Sequence, residues 1–126
     1  TVAVGRRILG QAADADEQRK FLELISGRRH HVMSSVCIID QNGTARTKVS
    51  DSIVKFKRFE RHEIEAYIAS GEGEGKAGGY GIQGPAGALI PWIQGSFTGI
   101  VGLPLTETAT LLQAAGYPLY IYKGAL

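Results

Sequence analysis

The sequence predicts a mixed α/β domain, and three features carry that prediction. Asn42-Gly43 stands between two β-prone runs, His31–Asp40 and Thr44–Phe56, which is a strong short-range hairpin signal. Two amphipathic stretches with start and stop signals, Asp14–Gly27 and Phe59–Gly71, flank that hairpin in the chain. The resulting order, β-α-β-β-α-loop-β-α-β, is that of an α/β unit rather than a repeat array.

The elements follow from local chemistry. Thr1-Val2-Ala3-Val4 has strand character from its first residue, and Arg6–Ala13 reads as a basic turn region. Natural domains seldom open inside an element, so the chain reads as the C-terminal portion of a longer protein. Asp14 is the expected N-cap of the first helix, with Glu17 three residues on and Gly27 as a left-handed stop. Phe21, Leu22 and Ile25 form its apolar face. In Phe59–Ser70, Ile64, Tyr67 and Ile68 face one way and Glu60, Arg61 and Glu65 the other, with Gly71 ending the helix. Ala88–Ile93 reads as a short apolar strand, which Pro91 confines to an edge or bulge. Leu103-Pro104 opens a third helix running to Ala115, and Leu119–Tyr122 closes the chain as a short strand, its Tyr120 and Tyr122 read as packing residues.

At 126 residues, with 44% apolar and 21% charged side chains, this is one domain's worth of globular chain. A net charge of +2 argues against a nucleic-acid partner. The pairs Arg6-Arg7, Arg28-Arg29 and Lys57-Arg58 either line an anionic-ligand pocket or are ordinary surface cations. Cys37 stands alone, so no internal disulfide forms, and it reads as a small core residue in a reducing compartment. No apolar run approaches the ~20 residues that span a bilayer, and no signal-peptide pattern is present. The expectation is a cytoplasmic protein with no membrane partner.

The segment Gly71–Gly84 is the candidate site. Seven of its fourteen residues are glycine, yet Lys76, Tyr80, Ile82 and Gln83 are interleaved. Gly-rich runs are usually flexible connectors. Large specific side chains among the glycines suit a ligand-facing loop better. Gln83 can offer one acceptor and two donors to a planar ligand edge such as a pyrimidine, and Lys76 a mobile cation to a triphosphate. Two G-x-G-x-x-G matches, from Gly73 and from Gly79, are composition artefacts, because a helix precedes them and Glu72 and Glu74 repel a pyrophosphate. Gly75-Lys76 lacks the hydroxyl residue of a P-loop, since Ala77 follows. Adjacent His30 and His31 point to opposite faces of a strand and cannot chelate one ion together. Ser34-Ser35 has no base at a recognisable spacing.

Four stretches then stand together: Ser26-Gly27-Arg28-Arg29-His30-His31-Val32, Glu63–Glu72, Lys76-Ala77-Gly78-Gly79-Tyr80-Gly81-Ile82-Gln83-Gly84, and Val101-Gly102-Leu103-Pro104-Leu105. In order and spacing, over nearly the whole chain, they resemble the Maf family of nucleoside triphosphate pyrophosphatases, in the branch acting on dTTP and UTP. The resemblance implies an inosine-triphosphatase-like α/β fold, with helices flanking an elongated mixed sheet and a deep cleft between two lobes, often as a homodimer. It implies hydrolysis of a pyrimidine or non-canonical nucleotide to the monophosphate and pyrophosphate with a divalent cation, magnesium or manganese. Residues 1–126 would be the C-terminal part of a single such domain. The general-base aspartate is expected just before Thr1, so no catalytic or metal-binding residue is expected within the chain, and little hydrolysis from it alone. The substrate-binding candidates are Gln83, Thr1, Lys76 and Arg28: Gln83 matches the family's base-reading glutamine, Thr1 stands at or one residue past the threonine of substrate choice, and Lys76 and Arg28 are structural or phosphate-facing cations. Gln11 stands where many members place a catalytic lysine, and Ser34 where many have threonine. The substitution at Gln11 supports the alternative of a non-catalytic nucleotide-binding or regulatory module; a plain α/β interaction domain is the third reading.

Overall fold

Residues 1–120, described by a computed structural model, form β1 (Val2–Val4), β2 (Arg7–Leu9), α1 (Ala15–Ile25), β3 (Arg29–Ile39), β4 (Ala45–Lys55), α2 (Arg61–Ser70), a 3-10 turn (Pro85–Leu89), β5 (Trp92–Gln94), α3 (Phe97–Val101) and α4 (Leu105–Ala114). The mixed α/β class holds. The five strands make one sheet in the order β2-β1-β3-β4-β5, and each of its pairings is antiparallel.

The backbone of this arrangement is the β3–β4 ribbon, paired without a break from Arg29↔Lys55 to Ile39↔Ala45. Its turn forms where Asn-Gly requires it: Gly43 takes φ 79°, while the Asp40 carboxylate accepts from the Asn42 and Thr44 N–H groups. On its flanks β1 pairs with His31 and Val32 of β3, and β5 with Ile53–Lys55 of β4. Along β3 the inward residues are His30, Val32 and Val36, so the ribbon's inner face carries the core and the opposite face is open.

The helices cover that inner face in two groups. Leu22 and Ile25 of α1 and Ile64 and Tyr67 of α2 join Val2, Val4, Val32, Val54 and Phe56 in one hydrophobic core. The pair α3 and α4 packs farther along β3 and β4. Asp14 caps α1 by accepting from the Glu17 N–H, and Glu17 returns a bond to the Ala13 N–H. The start of α2 is later than Phe59, because the Phe59 N–H is taken by Ser26 Oγ and Glu60 with Glu63 forms the capping box instead.

Several expectations are corrected. The basic turn region contains a strand, β2, which folds back on β1 through Gly5 at φ 57°. Ala88–Ile93 is split: its first residues close a 3-10 turn, and the edge strand begins only after Pro91, at Trp92. Cys37 is exposed rather than a core residue, since the alternation that buries Val36 turns its neighbour to the open face. Helix α3 was not foreseen. Leu119 and Tyr120 are not in a strand, Tyr120 is 69% exposed, and Tyr122 lies outside the described residues. No helix among the described residues is long and apolar enough to cross a membrane.

Candidate functional site

The gap between the two helix groups is a cavity of about 270 Å³ whose walls come from four segments. Thr1 and Val2 enter from β1, and Val32 and Ser34 from β3. Gly75 to Gln83 supply one side, and Ile100, Val101 and Gly102 of α3 and its end supply the other. Three of the four substrate-binding candidates, Thr1, Lys76 and Gln83, therefore line one cavity. Arg28 does not. It precedes β3, four residues before Val32, the nearest lining residue of that strand, which at 3.3 Å per residue is about 13 Å away.

The glycine loop is fixed rather than slack. Gln18, buried on α1, donates from Nε2 to the Gly79 carbonyl at 2.8 Å. The Gly78 N–H donates to the Gly10 carbonyl, and the Gly81 N–H to Tyr67 Oη at 3.0 Å. Tyr80 is 6% exposed, edge-on to Phe56, and shares a 2.5 Å hydrogen bond with Nε2 of His30. These bonds tie the loop to α1, α2, β3 and the segment after β2.

Two glycines allow close approach, Gly73 to a backbone carbonyl and Gly81 to a flexible lysine stem. A Cβ on Gly73 would sit 2.1 Å from the Gly79 carbonyl oxygen and 2.4 Å from Gln18 Nε2. One on Gly81 would meet Lys76 Cδ and Cε at 2.7 Å and Gln83 Oε1 at 3.4 Å. The lysine stem thus lies across Gly81, and the Gln83 side-chain oxygen approaches the same position. That is the physical use of the glycine content: it lets backbone and side chains converge where a bulkier loop would hold them apart.

Charge and protonation are set by burial. His30 is 1% exposed, and desolvation, then the neighbouring His31, hold its pKa down at about 4. Burial pushes the phenols of Tyr80 and Tyr67 up, so both stay protonated at neutral pH. His30 Nδ1 has no hydrogen-bond partner among the described residues. The imidazole and phenol behind the loop are therefore neutral, and Lys76 is the cation among the lining residues. The lining includes no carboxylate and no imidazole, and the described residues contain no group of three His, Cys, Asp or Glu side chains arranged to hold a metal ion. The divalent cation implied by the resemblance does not fit this wall taken alone.

Gln11 is placed beside the loop. Its backbone bridges Ala77, the residue after Lys76, although its side chain is not part of the cavity lining. Ser34 donates from Oγ to the Gly99 carbonyl at 2.7 Å, joining β3 to α3. The contribution of Ile100, Val101 and Gly102 was missed, although Val101-Gly102 opened one of the four recognised stretches. The usable signal was Ser96, an N-cap whose Oγ accepts from the Gly99 N–H.

Comparison with known proteins shows the family of the chain. The family model described as "Maf-like protein" matches residues 1–115. A relative from Ruegeria sp. (strain TM1040), named dTTP/UTP pyrophosphatase, is 62% identical over 95% of this chain and 62% of its own length. Proteins of the same name from Cereibacter sphaeroides and Sphingopyxis alaskensis are 61% and 55% identical, over 95% and 94% of this chain. The chain spans about three fifths of the length of these relatives. With its four recognised stretches inside the matched span, the chain belongs to the Maf-like protein family.

Proposed function

We propose that this chain forms one wall of the substrate cleft of a nucleoside triphosphate pyrophosphatase acting on dTTP and UTP. The convergence of Lys76 and Gln83 on one cavity beside Thr1 carries this reading. The names of the relatives support it. In the reaction, water adds to the α-phosphorus and the bond from that phosphorus to the bridging oxygen breaks. Pyrophosphate leaves, and the nucleoside monophosphate remains.

The roles assigned to this wall are binding roles. Gln83, with an acceptor and two donors, reads the carbonyl and imide edge of the pyrimidine. Val2, Val32 and Ile82 offer apolar surface to the ring, and Lys76 offsets phosphate charge. The Thr1 hydroxyl contributes to substrate choice. A magnesium or manganese ion belongs to the reading by resemblance, and none of these binding roles depends on it.

A second reading has its own observation. Neutral Gln11 beside the loop, in a wall without carboxylates, suits a nucleotide-binding or regulatory module that does not hydrolyse. Calorimetry with dTTP, UTP and dATP, paired with a pyrophosphate-release assay on the complete gene product, tests both. Release from dTTP and UTP supports the enzyme. Pyrimidine-selective binding without release supports the module, and no preference for pyrimidines contradicts both.

A further inference from the structure

The low net charge hides an uneven distribution. The antiparallel order brings the β1–β2 turn, the start of β3, the end of β4 and the start of β5 to the same end of the sheet, away from the cavity. Six of the chain's fourteen Lys and Arg residues collect there: Arg6, Arg7, Arg28, Arg29, Lys55 and Arg58. Direct contacts gather Arg28, Arg29, Lys55 and Arg58, and Arg6 and Arg7 adjoin them through the turn at Gly5. Arg29 is paired with Lys55 and Lys55 with Trp92, the Phe56 N–H donates to the Arg28 carbonyl, and the position of a Cβ on Gly27 is 3.5 Å from Arg58 Cα. Arg28 Nη2 lies 3.9 Å from the Cβ position of Gly5, in the β1–β2 turn.

All six side chains are exposed, and none has a carboxylate at ion-pair distance among the described residues. Of the nearby acids, two are engaged elsewhere and two face Arg7 on the α1 side of the sheet. Glu63 pairs with Lys57 and Glu60 with His62, while Glu17 and Glu23 line a shallow depression with Arg7. Five strands at about 4.8 Å spacing make this edge about 19 Å wide. Like charges held this close repel one another, so an unneutralised cluster costs stability unless a polyanion relieves it.

We propose that this end of the sheet is a docking surface for the phosphate backbone of a nucleic-acid strand, without base-sequence selectivity. Five of the six cations are guanidinium groups, whose planar donor forks match phosphate oxygens two at a time. They are spread along a rigid edge rather than focused on a point, which suits a chain of phosphates better than a single anion. Trp92, 38% exposed with the Arg29 guanidinium 4.9 Å above its ring, adds an aromatic platform at one end of the row. An anionic bilayer would call for apolar side chains among the cations. Beside the cations, among the described residues, only Ile8 and Trp92 are exposed large apolar side chains, while Val101, Leu103 and Leu105 lie at the end of α3 and just after it.

The test is fluorescence anisotropy of a labelled twenty-nucleotide oligo(dT) strand, titrated with the chain from 50 to 200 mM salt. Two double reversals, Arg28→Glu/Arg29→Glu and Arg6→Glu/Arg7→Glu, probe the patch from separate strands, and their melting temperatures check folding. Arg46→Glu/Lys48→Glu makes the same change in net charge near the β3–β4 turn. Binding whose affinity falls with salt, and which weakens at least tenfold in each folded patch variant but under threefold in the control, is the expected result. For single strands the salt slope is about −0.7 per phosphate contacted, so each patch variant should flatten it by at least about one. No binding at 50 mM salt, equal losses in patch and control variants, or binding confined to polyglutamate or to phosphatidylglycerol vesicles would overturn the proposal.

Discussion

Nε2 of His30 and the hydroxyl of Tyr80 are 2.5 Å apart in the core, fifty residues apart in sequence, and this bond anchors the glycine loop to β3. His30 stacks on Phe56 at 5.6 Å and 15°, while Tyr80 meets both rings edge-on. Tyr80 also lines the cavity. A change behind the loop is therefore transmitted to the residues in front of it.

Removing the Tyr80 hydroxyl leaves the buried His30 with neither ring nitrogen partnered among the described residues. Tyr80→Phe should destabilise the fold by about 1–3 kcal/mol, the cost of an unsatisfied buried polar group. Urea denaturation measures it. An unchanged midpoint would mean that the bond does not anchor the loop.

His30 makes stability depend on pH in a defined window. Its folded pKa of about 4 lies below the ordinary 6.5, so between these values the unfolded chain takes up a proton that the native state refuses. Stability is complete above that window and declines as pH falls from 6.5 toward 4, by a total of about 3 kcal/mol. Asp40, Glu63 and Glu65, whose pKa values are lowered by their hydrogen bonds, add to the decline only in the carboxylate range. Urea melts at pH 7 and pH 5 should therefore differ more for the native chain than for His30→Gln. Equal differences would contradict the assignment.

Gly81→Ala places a methyl group where the Lys76 stem now lies. The lysine is flexible and can move, so the fold should lose under about 1 kcal/mol. Nucleotide affinity should fall more, about tenfold, because moving the stem moves the cation of the cavity wall that Lys76 and Gln83 share. Calorimetry beside a urea melt separates the two effects.

Gln11→Lys puts beside the loop the cation that the resemblance implies for many family members, where the backbone of residue 11 already pairs with Ala77. If the proposed enzyme reading holds, the complete gene product should release pyrophosphate from dTTP at least about tenfold faster with lysine there, the effect of one added charge-stabilising group. An unchanged rate would mean that position 11 does not reach the phosphates.

Much of this fold was legible because local chemistry and tertiary packing agree. Asp14 with Glu17, Asn42-Gly43 and Gly71 each dictate a cap or turn by their own hydrogen bonds or φ, and each is found in that role. Elements too short to show a period were not legible. Arg7–Leu9 is a strand only because β1 offers an edge, and Phe97–Val101 is a single helical turn set by Ser96. Cys37 was misplaced because an apolar run does not reveal which of its residues faces the core. The site followed the same division. Glycine content with Lys76 and Gln83 marked the loop, whereas the opposite wall from α3 and the remoteness of Arg28 emerge only from the antiparallel register.

The most direct measurement is calorimetric titration of the chain and its Gln83→Ala variant with dTTP, UTP and dATP. The account predicts that the native chain binds the two pyrimidine nucleotides more tightly than dATP, and that the variant loses this preference while its affinity for dATP stays within about threefold, since less than about 1 kcal/mol is then at stake. Equal affinity for all three nucleotides in the native chain, or a pyrimidine preference that survives Gln83→Ala, would contradict it.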